Sequence, residues 1–308
     1  MNELKAAASA PGKVILFGEH FVVHGNPAIV SSISLRAKVE AEKIPEEHVK
    51  LEGFEEDNPA VIASRYVLGK LRQQHGLKLR IFSEIPQSVG LGSSAAVSVA
   101  AAAATMKLCL NEIDLPLVLE AAHEGEKIIH YTPSGIDTSV ATFGGGGVYS
   151  RAEGYRKLDL KLEYILIVNT GKLRRTGDLV RKVKAFQEKN PEKFKQILAS
   201  AGGIVSEAID HLKSLDLESL GKLMNKNQEL LRTIGVSSPE IEEAVAACLD
   251  AGAYGAKLTG AGGGGCVIAV ADYDKLDQIR EKLEGKFSVV KARLMVEGVR
   301  AESLTSSP

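Results

Sequence analysis

Residues 86 to 100, Pro-Gln-Ser-Val-Gly-Leu-Gly-Ser-Ser-Ala-Ala-Val-Ser-Val-Ala, hold the chain's first chemical possibility. A loop that ends at Gly92 and opens straight into an alanine-dense helix leaves unpaired backbone N–H groups at the helix start, a seat for an anion such as phosphate. Gly90 and Gly92 let backbone approach a ligand closely, and Ser93 and Ser94 add hydroxyls able to cap the helix, touch a phosphate or ligate Mg²⁺. An ordinary serine N-cap on a buried helix accounts for the two serines equally well. Two further glycine clusters, 144 to 147 and 260 to 265, shift the balance toward phosphate. That chemistry needs a backbone cradle, a nearby cation, Mg²⁺ ligands and a group that orients the acceptor hydroxyl. Any single cluster could be turn chemistry alone.

Other chemistries fit the residues less well. The Walker pattern Gly-x-x-x-x-Gly-Lys-Ser/Thr is absent. Gly90 to Ala95 and Gly260 to Gly265 both match the dinucleotide fingerprint Gly-x-Gly-x-x-Gly/Ala, so an NAD-dependent oxidoreductase is the alternative from another class. The second match runs into a strand instead of a helix. The first opens a helix, but no clear parallel strand follows, and Glu112 and Asp114 fall in a loop before Pro116. His123-Glu124 does not complete a His-Glu-x-x-His zinc motif, because position 127 is lysine. His20 and His24, four apart beside Glu19, are no better as a metal site.

The elements that must position these groups can be read from periodicity. Val14 to Phe17 is a continuous apolar run, a buried strand broken by Gly18-Glu19-His20. Phe21 to Val23, a turn at 24 to 27, and Ala28 to Val30 read as strand, turn, strand, and 38 to 42 alternates as another strand. From Asn58-Pro59 the spacing is helical, with Gly76 as the stop, and Leu77, Leu79 and Ile81 then form a half-buried strand leading to the loop at Pro86. Helices follow at 93 to 110 and from Leu115 to about His130, then a turn-rich break at 131 to 137 and a strand near Gly147-Val148-Tyr149. Ile165 to Val168 is a buried strand, and the domain boundary is placed just before it, giving 1–164 and 165–308. Helical segments reach about Leu231, and Ser238-Pro239-Glu240 starts another that ends near Gly252. A strand at 266 to 270, a helix at 275 to 283 and a strand at 287 to 294 complete an α+β or mixed α/β chain.

Composition narrows the class. A chain of 308 residues suits two domains, and its formal charge of −1 leaves no excess for nucleic acid or an anionic membrane. The local cluster Lys172, Arg174, Arg175, Arg181, Lys182 and Lys184 could serve an anionic small molecule or simply be a solvated helix face. No apolar run reaches the roughly 20 residues of a membrane span, and Met-Asn-Glu-Leu-Lys leads into no signal-peptide core, so a cytoplasmic protein is expected. Cys109, Cys248 and Cys266 form no Cys-x-x-Cys pair and suit buried thiols in a reducing compartment.

Taken together, Pro-Gly-Lys-Val-Ile-Leu-Phe-Gly-Glu-His-Phe-Val-Val-His-Gly at 11 to 25, Gly-Leu-Gly-Ser-Ser-Ala-Ala at 90 to 96 and Lys-Leu-Thr-Gly-Ala-Gly-Gly-Gly-Gly-Cys at 257 to 266 resemble the three ordered signature motifs of the GHMP small-molecule kinases. Gly-Glu-His-x-Val-Val-His-Gly, with Pro-Ser-Gly-Ile-Asp at 133 to 137, resembles the mevalonate kinase branch, in its shorter archaeal form. The resemblance implies a two-domain α+β fold: an N-terminal α/β domain with a left-handed β-α-β crossover and a C-terminal ferredoxin-like domain. It also implies transfer of the ATP γ-phosphoryl to the 5-hydroxyl of mevalonate, in a homodimer. Phosphomevalonate kinase and diphosphomevalonate decarboxylase share the nucleotide site and stand as alternatives.

By the same resemblance, Asp137 is the general base and Lys13 its partner. Pro86, Val89, Gly90, Leu91, Gly92, Ser93, Ser94 and Ala95 hold the nucleotide, and Ser94 and Glu126 ligate Mg²⁺, with Ser93 able to replace Ser94. Glu19, His20 and Arg174 contact the substrate, Arg174 through its carboxylate. The run at 260 to 265 supports the loop at Gly90. A nearby ammonium favours an ionised carboxylate, and a guanidinium can grip a carboxylate with two parallel hydrogen bonds.

Overall fold

The computed structural model describes residues 4–53, 58–128, 134–172 and 176–304. The chain begins with β1 (Lys5–Phe17), a 3-10 turn at Phe21–His24, β2 (Ala28–Ile44), β3 (Val49–Leu51), α1 (Pro59–Lys70) and β4 (Gly76–Ser83). Next come α2 (Ser93–Leu110), α3 (Leu115–Glu126), α4 (Ile136–Phe143), β5 (Gly146–Ser150) and β6 (Gly154–Lys157). These strands, with a late arrival, form one sheet in the order β11-β1-β2-β4-β3, with β5 on β2 and β6 on β5; β11 is Arg300–Glu302. Antiparallel pairing prevails. The parallel pair β3 and β4 is joined through α1, a β-α-β unit.

The second sheet is built from β7 (Tyr164–Asn169), β8 (Gly255–Leu258), β9 (Cys266–Val270) and β10 (Ser288–Arg293), in the order β10-β7-β9-β8 and antiparallel throughout. Numbered within this sheet, that order is 4-1-3-2, the ferredoxin-like arrangement. Helices α5 (Thr176–Lys189), α6 (Pro191–Ser214), α7 (Leu217–Thr233) and α8 (Pro239–Ala251) fill the first crossover, and α9 (Tyr273–Leu283) the second. The chain is therefore α+β, with a mixed sheet in its first lobe and an antiparallel one in its second.

Helix α2 is the axis of the first lobe. Its alanines, Ala96 and Ala100 to Ala104 among them, are fully buried, and the thin cylinder packs against β1, β2, α1, α3 and α4. By length and composition this is a helix apolar enough to cross a membrane; here it is the core. Close packing is needed at Gly125, where a Cβ would lie 2.7 Å from the Pro59 carbonyl oxygen and 2.9 Å from Ser98 Oγ.

Three readings from periodicity are corrected. Phe21–His24 is a 3-10 turn and not a strand, because Gly18 and Gly25 at φ 95° and 100° curl the chain and Val22 N–H bonds back to the Gly18 carbonyl. Helix α1 ends at Lys70, with Arg72 in the left-handed region at φ 51°, while Gly76 opens β4. Residues 136 to 143 are a helix, not a continuation of the turn. The end of the chain returns to the first sheet: β11 pairs with β1, and Arg36 donates to the carbonyls of Glu297 and Gly298 at 2.9 and 2.7 Å.

Candidate active site

The site grows from an irregularity in β1. Its register against β2 shifts between Pro11 and Lys13 and again between Ile15 and Phe17, and such bulges re-aim side chains. At Gly12 a Cβ would lie 2.8 Å from the Leu91 carbonyl oxygen, so only glycine lets the 86 to 92 loop dock here. Lys13 N–H seals the contact by donating to Leu91 O at 2.9 Å. Of the loop residues, Val89, Gly90, Leu91 and Ala95 are buried, Pro86 is exposed, and Gly92, Ser93 and Ser94 are half-buried.

The N-cap of α2 is Gly92 at φ 73°, with no side-chain capping bond. Neither serine caps the helix, which corrects one role open to them, and the N–H groups of the first turn face outward with their partial positive charge. Lys13 sits directly beneath. Its side chain is 4% exposed, and its ammonium lies 3.2 Å from Asp137 Oδ1, on a carboxylate that keeps a 30% exposed face. Asp137 occupies the first turn of α4, whose N-cap is Gly135 at φ 79°. The Tyr149 hydroxyl donates to the Ser134 carbonyl and steadies that approach. Gly92 closes the triangle, since a Cβ there would lie 3.0 Å from Lys13 Cγ and 3.7 Å from Asp137 Oδ2.

Beside this pair, Ser94 Oγ donates to Glu126 Oε1 at the C-terminal end of α3. Burial raises the Glu126 carboxyl to about 7, with the Asp137 charge adding to the effect and the Ser94 hydrogen bond and Lys13 opposing it. A half-neutralised carboxylate next to a hydroxyl is a hard oxygen donor set that a divalent cation would complete. Among the described residues no group of three or more His, Cys, Asp and Glu side chains converges, so most of such an ion's ligands would be water or phosphate, as suits Mg²⁺.

Glu19 is placed differently from expectation. It is fully buried, paired with the equally buried Lys257 ammonium and receiving Asn227 Nδ2 at 3.4 Å. Burial raises the Glu19 carboxyl and lowers the Lys257 amine, against their mutual attraction. With no open face, Glu19 ties the turn after β1 to β8 of the second lobe. His20, at φ 59°, bonds Ala261 O through Nε2 at 2.8 Å. Arg174 lies outside the described residues. The third glycine run does meet the 86 to 92 loop: Cys266 N–H donates to Val89 O at 3.2 Å, and a Cβ on Gly265 would lie 2.4 Å from that oxygen. Asn227 was not singled out from sequence, and Lys257 and Thr259 stood in the third motif without a role of their own. The alternation Lys-x-Thr before a glycine run is the one local signal that marks two of them.

Models of the GHMP kinases N terminal domain and of the GHMP kinases C terminal match residues 59–145 and 208–289. The chain belongs to the GHMP kinase family. A mevalonate kinase of Pyrococcus abyssi is 36% identical to this GHMP kinase, over 96% of this chain and 98% of that protein. One of Archaeoglobus fulgidus is 37% identical over 96% and 99%. A crystal structure of L. major mevalonate kinase in complex with R-mevalonate superposes with a TM-score of 0.86 at 33% identity, covering 97% of this chain and all of that one. The dinucleotide alternative falls away: α2 leads to α3, not to a parallel strand, and Asp114 caps α3 by accepting Leu117 N–H at 2.8 Å.

Proposed function

We propose that this GHMP kinase is a mevalonate kinase, transferring the γ-phosphoryl of ATP to the 5-hydroxyl of mevalonate and feeding isoprenoid synthesis. The observation that carries this reading is the Lys13–Asp137 pair set against the uncapped start of α2. The first-turn N–H groups, with the backbone from Pro86 to Ala95, receive the triphosphate. Asp137 accepts the hydroxyl proton as the 5-oxygen bonds to the γ-phosphorus and the bond to the β–γ bridging oxygen breaks, releasing ADP. The Lys13 ammonium, 3.2 Å from Asp137 Oδ1, holds that carboxylate in place and offsets charge on the transferring oxygens. Ser94 and Glu126 would hold Mg²⁺, which when bound neutralises triphosphate charge. His20 and Arg174 meet the substrate, Arg174 at its carboxylate.

We read the lobes as dividing at 1–164 and 165–308, with β11 crossing back, in a cytoplasmic homodimer; sedimentation equilibrium measures the dimer. The decisive assay is ADP release from MgATP with mevalonate, phosphomevalonate, galactose and homoserine in turn. Turnover with mevalonate alone is expected. Faster turnover of another acceptor, or none with mevalonate, overturns the reading.

A further inference from the structure

One edge of β1 is paired by β2, while the other is covered by β11 only from Ala7 to Ser9. Further along, the buried backbone on that second edge still needs partners, because an unpaired polar group away from water is costly. Lys13 and Ile15, two apart, present their N–H groups to the same side. Lys13 N–H is taken by Leu91 of the phosphate loop at 2.9 Å. Ile15 N–H is taken by Thr259 Oγ1 at 2.9 Å, and the same hydroxyl donates to the Ile15 carbonyl at 3.1 Å. A single side-chain oxygen, on a residue 1% exposed, thus stands in for a neighbouring strand.

The seam extends on both sides. From the second lobe, Lys257 reaches Glu19 and the Ala261 carbonyl meets His20, so alternate positions of one segment engage the exit of β1. Of the three, Thr259 contacts the β1 residue nearest Lys13 in the chain, and Ile15 belongs to the short run Lys13–Ile15 that pairs with β2 between the two register shifts.

We propose that Thr259 is a positioning residue: by bridging both backbone groups of Ile15 it holds the Lys13 stretch of β1 against the phosphate loop, and so couples the reach of Lys13 toward Asp137 to the seating of the second lobe on the first. This rests on the phosphoryl-transfer reading above.

Thr259→Val keeps the shape and removes the hydroxyl, whereas Thr259→Ser keeps the hydroxyl. The valine variant should lose turnover on the order of ten- to a hundredfold, the scale of a sub-ångström to ångström misplacement of a reacting group, with the KM for ATP little changed. The serine variant should recover most of it. Wild-type turnover in a valine variant whose melting temperature has fallen would make Thr259 merely structural and overturn the proposal, as would failure of serine to rescue. Amide exchange supplies an independent reading. Loss of Ile15 N–H protection in the valine variant supports the clamp, and unchanged protection overturns it, even if the wild-type chain releases no ADP with mevalonate and the functional reading fails on its own.

Discussion

Replacing Lys257 with Met removes one half of an ion pair that has no exposure to water. Methionine fills most of the lysine's volume, so packing changes little and the electrostatic effect dominates. Glu19 is then left with the Asn227 amide at 3.4 Å as its remaining side-chain donor among the described residues. An unpaired buried carboxylate escapes by taking a proton. For a carboxyl whose ordinary value is 4.5, protonation costs about 3.4 kcal/mol at pH 7 and about 0.7 kcal/mol at pH 5. The folded variant binds that proton more tightly than the unfolded chain does. Its stability is therefore retained below the ordinary carboxyl range and lost as pH rises. Over 308 residues, at about 2.1 cal/mol/K each, the deficit at pH 7 corresponds to a fall in Tm of about 5 °C. Urea or thermal unfolding of wild type and Lys257→Met at pH 5, 7 and 8 measures it. The double variant Lys257→Met with Glu19→Leu should be more stable than the single one, because it leaves no buried charge. A deficit independent of pH, or a double variant weaker than the single one, would refute the reasoning.

Asp137→Asn should leave ATP binding nearly intact while cutting turnover by roughly 10² to 10⁴, the range for a lost acid-base group; wild-type turnover would remove the base assignment. Glu126→Gln should raise the Mg²⁺ concentration needed for half-maximal turnover, and an unchanged metal titration would contradict the ligand role. In EDTA, the Glu126 carboxyl at about 7 should cost the wild-type chain up to about 3 kcal/mol as pH climbs through the interval between its ordinary and its raised value. The glutamine variant should lack that slope in thermal melts.

Signals confined to a few neighbouring residues were legible without a structure. Helix α2 covers 93 to 110, the bounds read around its alanine-dense stretch, and α8 starts at its Ser238 cap, with Pro239 in the first turn, and closes at Gly252 at φ 112°. The glycine loop at 86 to 92 and the three ordered motifs were visible for the same reason, since a glycine that must admit backbone and a helix start are written in consecutive positions. Helix α4 was not legible, because eight residues after a glycine turn carry too little periodicity to tell helix from loop. The sequence by itself determined the family, and with it the class of chemistry, and the bounds of the helix that follows the 86 to 92 loop. Tertiary structure alone decided that Glu19 is spent on Lys257, 238 positions away, and that Thr259 completes a strand edge 244 positions away. Burial and pairing depend on which distant group closes over a side chain, and no local pattern encodes that partner.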